Sequence, residues 1–84
     1  MLKLQGIYRV SCTNPLMQRG FVGKKFLCSF GARKVAPTEQ VLRGIAIDNP
    51  RNKWHTSQVE YVRTRKDGVL VVKTNHSIYW LEEA

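Results

Sequence analysis

The sequence predicts a mainly β domain of five to six strands with little helix, closed into a small barrel. Apolar and polar residues alternate at the start and in the last third of the chain, turn-forming residues recur between these stretches, and almost nothing reads as helix. With 84 residues there is room for one core, so 1–84 is a single domain, and 43% hydrophobic with 24% charged residues is globular usage. A core this small leaves little space for an enclosed pocket, which assigns binding to an open face.

The first strand is marked by Leu2, Leu4, Tyr8, Val10 and Cys12, with Lys3, Gln5, Arg9 and Ser11 falling between them. Thr13-Asn14-Pro15 interrupts that pattern, and 13–20 reads as a loop because Leu16, Met17 and Arg19 show no clear period. A second strand follows over 21–30, with Lys24-Lys25 inside it and a turn at Phe30-Gly31. The 33–43 segment admits a short helix capped by Thr38 or a loop into a strand over 41–47; the strand is the reading adopted. Asp48-Asn49-Pro50-Arg51-Asn52 is a turn, since Asn and Asp bond to neighbouring backbone and Pro sets its own φ. Beyond it, 57–65 and 69–73 flank Lys66-Asp67-Gly68, a tight hairpin in which Gly accepts positive φ without steric cost. Asn75-His76 makes a second turn before a strand over 77–81, completing a three-stranded meander. Two early strands and three or four later ones, irregularly joined, correspond to an SH3-like or OB-like barrel.

The tail Thr56-Ser57-Gln58-Val59, followed by Val72-Lys73-Thr74-Asn75-His76-Ser77-Ile78-Tyr79-Trp80-Leu81, resembles a pattern of short uncharacterised bacterial and phage proteins. That resemblance implies a curled β-hairpin ending an SH3-like barrel. It covers the last third of the chain and brings no catalytic or binding residue with it.

Charge is the strongest functional signal. Lys3, Arg9, Arg19, Lys24, Lys25, Arg33 and Lys34 all precede the first acid, Glu39, in a chain of net charge +8. Such a span cannot neutralise itself locally and leaves a positive surface for a polyanion; the alternative is an ordinary solvated surface. Lys24 and Lys25, adjacent on a strand, point to opposite faces, so at least one is exposed. If Lys3, Arg9, Arg19, one of that pair and Arg33 surround one groove, with Lys34 near a turn, each phosphate contact releases a counterion and binding weakens with salt. Arg51-Asn52-Lys53-Trp54-His55 adds cations, an amide and an aromatic, a composition suited to phosphate contact with base stacking; the alternative for Trp54 is a core position. Adjacent Tyr79 and Trp80 must face opposite ways. Arg63, Arg65 and Lys66 either extend the patch or keep a hairpin tip soluble.

Other chemistries find little support. Cys12, Cys28, His55 and His76 contain no C-x-x-C or H-x-x-x-H spacing, so neither a metal nor a cofactor is expected, and the thiols read as reduced apolar packing groups. His55 precedes Thr56-Ser57 and His76 precedes Ser77, but strand neighbours diverge, the six acids are scattered, and no nucleophile elbow or phosphate loop occurs. No catalytic residue is assigned and no enzyme is expected. Without a signal-peptide core or a spanning apolar stretch, the chain reads as soluble and cytoplasmic with no membrane partner.

The expected function is a nucleic-acid-binding accessory or regulatory protein, of the kind a phage or mobile element uses to modulate a nucleoprotein complex. RNA or a single strand is favoured over duplex, because no helix here could enter a major groove. The alternative is a protein-interaction module or inhibitor docking on an acidic protein surface, favoured if Leu16, Met17 and Phe21 are exposed beside Arg19. Oligomeric state is left open.

Overall fold

The computed structural model describes residues 4–84, so Leu2 and Lys3 lie outside the described residues. Six strands form one ring in chain order: β1 (Gln5–Cys12), β2 (Lys25–Arg33), β3 (Ala36–Ala46), β4 (Lys53–Thr64), β5 (Leu70–Thr74) and β6 (Ile78–Glu83). A helix, α1 (Pro15–Phe21), connects β1 to β2. All pairings are antiparallel, and β6 returns to β1 with Tyr8 opposite Glu83 and Cys12 opposite Tyr79. Closure leaves no side of the sheet unpaired. The order is a meander throughout, without the Greek-key crossover of the OB alternative. No helix among the described residues is long and apolar enough to cross a membrane.

The expected alternation places Val10 and Cys12 inside on β1, and the last three strands form the expected meander around Gly68, whose φ is 88°. Four expectations are corrected, one of them the start of the fourth strand, which lies at Lys53 rather than at 57. The 13–20 segment is not a loop: Asn14 caps α1, its side chain accepting from the Leu16 amide at 3.0 Å, and Pro15 sits at the first helical position, where its missing N–H costs nothing. The second strand begins at Lys25, so Phe21 belongs to α1 and Lys24 to the intervening turn; it runs past Gly31 to Arg33. The third begins at Ala36 rather than at 41. Its register jumps from Arg33↔Ala36 to Ala32↔Gln40, which leaves Pro37, Thr38 and Glu39 outside the regular ladder.

Phe26, Cys28, Leu42, Val72 and Leu81 have no exposed surface and form the centre of the core, with Val10, Cys12, Ala46, Val59 and Tyr79 around them. Phe21 on α1 is 4% exposed and sets its ring 5.6 Å from Phe26 and 5.1 Å from Trp54. Trp54 stacks on Tyr79 at 6.2 Å and crosses Gly44, where a Cβ would stand 2.3 Å from the indole. Only glycine leaves room for that ring between β3 and β4. Burying each large apolar side chain contributes about 1.5–3 kcal/mol, so this aromatic group anchors helix to barrel.

Candidate nucleic-acid interface

Register fixes three tiers on the outer wall of β1–β4. Gln5, Ser29, Arg43 and His55 form the first; Ile7, Leu27, Ile45 and Lys53 the second; Arg9 and Lys25 begin the third. Arg43 of the first tier shares a hollow of about 400 Å³ with Arg33, Lys34 and His55 beside the β2–β3 turn. Past His55, the surface continues into a polar hollow of about 280 Å³ bordered by Ser57, Gln58, Asn75 and His76, with Glu39, the partner of Arg33, on its rim. Arg33 and His55 line both, so the two hollows form one groove.

Local bonding holds this groove in shape. The Arg43 guanidinium lies against Gly31 and donates through Nη2 to the Ala32 carbonyl at 2.7 Å. The β3–β4 register shifts between Val41 and Arg43, and there Thr56 Oγ1 accepts from the buried Leu42 amide at 3.0 Å while donating to the Ser57 carbonyl at 2.8 Å. This pins the stretch of β4 that carries His55 and Ser57. At the β5–β6 turn, Thr74 Oγ1 accepts from the Ser77 amide at 3.2 Å, and the Asn75 amide donates to Gln58 O at 3.1 Å, which ties Asn75 and His76 to β4. Arg33 pairs with Glu39 at 3.1 Å in an exposed ion pair, worth about 0–1 kcal/mol.

The cations named from sequence do not surround one groove. Lys3 lies outside the described residues. Arg33 and Lys34 are at one end of β2, whereas Lys24 and Lys25 are at the other, roughly 25 Å along an extended strand of that length. Lys24 and Lys25 border a separate hollow with Gly23, Ile47 and Asp48; Arg9 lies opposite Lys25 on one side and Glu82 on the other. Arg19 projects from the last turn of α1, and Arg51 is exposed in the β3–β4 turn. Lys53 is exposed and joins Arg43 and His55 along a hollow of about 440 Å³.

Trp54 is corrected as an exposed stacking residue. It is half-buried with its ring against Phe21, Phe26 and Tyr79, the core position that sequence had left as the alternative. The expected opposition of Tyr79 and Trp80 is present: Tyr79 is buried, while Trp80 lies on the outer wall near Arg9, Arg65 and Glu82. The condition that would favour a protein partner, exposure of Leu16, Met17 and Phe21 together beside Arg19, is met at Leu16 alone. Leu16 is exposed, but Met17 turns inward to accept from the Tyr79 hydroxyl at 3.6 Å, and Phe21 is buried. Arg43, Ser57, Gln58, Asn75 and His76 were absent from the sequence-based site, and His55 entered only within the 51–55 cluster, because only the β3–β4 and β4–β5 pairings bring them together.

Cys12 and Cys28 are buried free thiols. Desolvation pushes Cys28 up to about 12 and raises Cys12, Tyr8 and Tyr79 as well, so both thiols remain protonated packing groups at neutral pH. Among the described residues, no group of three or more His, Cys, Asp or Glu side chains is arranged to hold a metal ion. Comparison with protein-family models, curated proteins and solved structures gives no match, so the resemblance of the C-terminal hairpin gains no support from them.

Proposed function

We propose that this barrel binds single-stranded nucleic acid, RNA in particular, along the groove that runs from Lys34 past Arg43 and His55 to Asn75 and His76. The observation that carries this reading is the convergence of Arg33, Lys34, Arg43 and His55 on one groove whose guanidinium at Arg43 is already oriented. Phosphates would meet the three cations, and each contact neutralised in this way adds to the salt dependence of binding. Arg43 and the two imidazoles offer planar groups on which bases stack, taking the role that Trp54 cannot fill. Ser57, Gln58 and Asn75 supply donors and acceptors for the edges of unpaired bases. The seven-residue α1 is too short to serve as a recognition helix, which argues against duplex DNA. A single domain of this size suits an accessory role within a larger nucleoprotein complex.

The test is fluorescence-anisotropy titration of the nucleic-acid-free protein against labelled single-stranded RNA, single-stranded DNA and duplex DNA at two salt concentrations. Binding that favours a single strand, weakens with salt and drops about tenfold in Arg43→Glu supports the groove. No binding to any of the three at low salt overturns the proposal.

A further inference from the structure

The aliphatic side chains of the second tier offer that groove no phosphate contact. Ile7 is opposite Leu27, and Leu27 is opposite Ile45, so three outward aliphatic side chains stand abreast across β1, β2 and β3. They are 42%, 38% and 37% exposed, and Ile47 beyond them is 49% exposed. Single exposed apolar residues on a barrel wall are ordinary, but three strands placing aliphatics at one level make a continuous strip. Directly opposed residues set their Cβ atoms about 4.5–5.5 Å apart, so the three stand side by side with no polar residue between them.

Cations border this strip. Arg43 precedes it on β3, Arg9 and Lys25 follow it on β1 and β2, and Lys53 closes its β4 end. The nearby carboxylates are Asp48, which shares a hollow with Lys24 and Lys25, Glu82, opposite Arg9, and Glu83, opposite Tyr8. Cations therefore outnumber acids along the rim.

We propose that this strip is a second interface, which docks a protein partner presenting an apolar ridge flanked by Asp and Glu. Charge complementarity selects that occupant. A second copy of the chain would bring basic rim against basic rim, since a two-fold contact sets the same patch on both sides. A nucleic acid would find the phosphate-binding cations, but the strip itself is aliphatic, and Trp54, which borders it, packs its ring against Phe21, Phe26 and Tyr79 instead of presenting it to a base. Closure of the barrel removes strand addition as a mode of binding, so side-chain packing and the charged rim carry the contact. Arg43 and Lys53 lie where strip and groove adjoin, and the domain can thus hold an acidic protein beside a bound strand. The strip is short, which makes the contact weak and reversible.

The experiment selects peptides from a randomised display library on the wild-type protein, freed of nucleic acid. It then measures the enriched peptides by anisotropy against wild type, Ile45→Asp, Leu27→Asp, Lys25→Glu and Arg33→Glu/Lys34→Glu. The expected peptides combine Leu, Ile or Phe with Asp or Glu. Their binding falls about tenfold or more in Ile45→Asp and Leu27→Asp, falls less in Lys25→Glu and in high salt, and is unchanged in Arg33→Glu/Lys34→Glu. Ile45→Thr, polar and β-branched at an exposed strand position, keeps the test valid if the Asp variants fail to fold. Failure to enrich peptides, or peptides that bind both Ile45 variants as tightly as wild type, overturns the proposal. So does a wild-type dimer in sedimentation that Ile45→Thr dissolves, which would assign the strip to a second copy. Loss of single-strand binding in Ile45→Thr equal to that in Arg33→Glu/Lys34→Glu would assign it to nucleic acid instead. Retained strand binding with no peptide binding rejects the strip alone, and the reverse rejects the groove alone.

Discussion

The outer wall of β4–β6 pairs two of its cations with acids of its own hairpins, whereas the wall of β1–β3 pairs one. On the former, Lys73 meets Glu60 at 3.0 Å across the β4–β5 ladder, Arg65 meets Asp67 at 2.6 Å within the turn, and Arg63 lies 4.6 Å above the Tyr61 ring. On the latter, Glu39 takes Arg33 and no other ion pair occurs among the described residues. A meander folds each strand against its sequence neighbours, so charge that is unbalanced along the chain stays unbalanced on the surface. The acid-free span before Glu39 therefore becomes a basic wall, and the mixed C-terminal span becomes a partly self-paired one.

The largest effect on this contrast comes from removing the core that holds both walls. Phe26→Ala empties a fully buried site between Phe21 and Trp54 and costs about 3–5 kcal/mol, read as a lower urea midpoint or as loss of the folded state.

High pH should act next, and through the basic wall, because Cys12 and Cys28 are on the inner faces of β1 and β2. Burial raises the folded-state value of Cys28 from an ordinary 9.0 to about 12. The thiol's contribution is complete while both states are protonated. It is lost as pH climbs from 9.0 towards about 12, because the unfolded chain ionises first. Denaturant midpoints measured across that range should fall in wild type, and fall less in Cys28→Ala relative to its own neutral-pH value.

Thr56→Val strips the buried Leu42 amide of its partner at the seam between the walls and destabilises by about 1–3 kcal/mol, measured by thermal or urea unfolding. Paired charge reversals then sharpen the contrast on the surface. Arg33→Glu/Lys34→Glu should weaken RNA binding about tenfold and lower the salt slope by about two, whereas Arg65→Glu/Lys66→Glu at the other hairpin changes both far less in the same titration. The smallest effect is expected from Glu60→Ala, which removes a surface ion pair and shifts stability by under about 1 kcal/mol.

The C-terminal meander was legible because Lys66-Asp67-Gly68 and Asn75-His76 mark turns and their flanks alternate. The segment at 13–20 was not, since Asn14-Pro15 both breaks a strand and starts a helix, and seven residues are too few to display a period. Pro37 delayed the expected start of β3, because a proline argues against a ladder position unless a register jump accommodates it. For the site, Arg33 and Lys34 were named from charge alone, His55 only as the end of the 51–55 cluster, and Arg43 and His76 not at all. Trp54 stands just after a turn, where sequence does not reveal which parity faces the core, and its indole turned inward across Gly44.

By itself the sequence determined the β-rich architecture, its C-terminal turns and the excess of positive charge, because these follow from local periodicity, turn chemistry and composition. Only the tertiary structure decided that the cations divide between separate regions, that Trp54 packs inside and that Ile7, Leu27 and Ile45 stand abreast. Those outcomes depend on ladder register, which is set by how distant side chains fill a shared core, and no single segment carries that information.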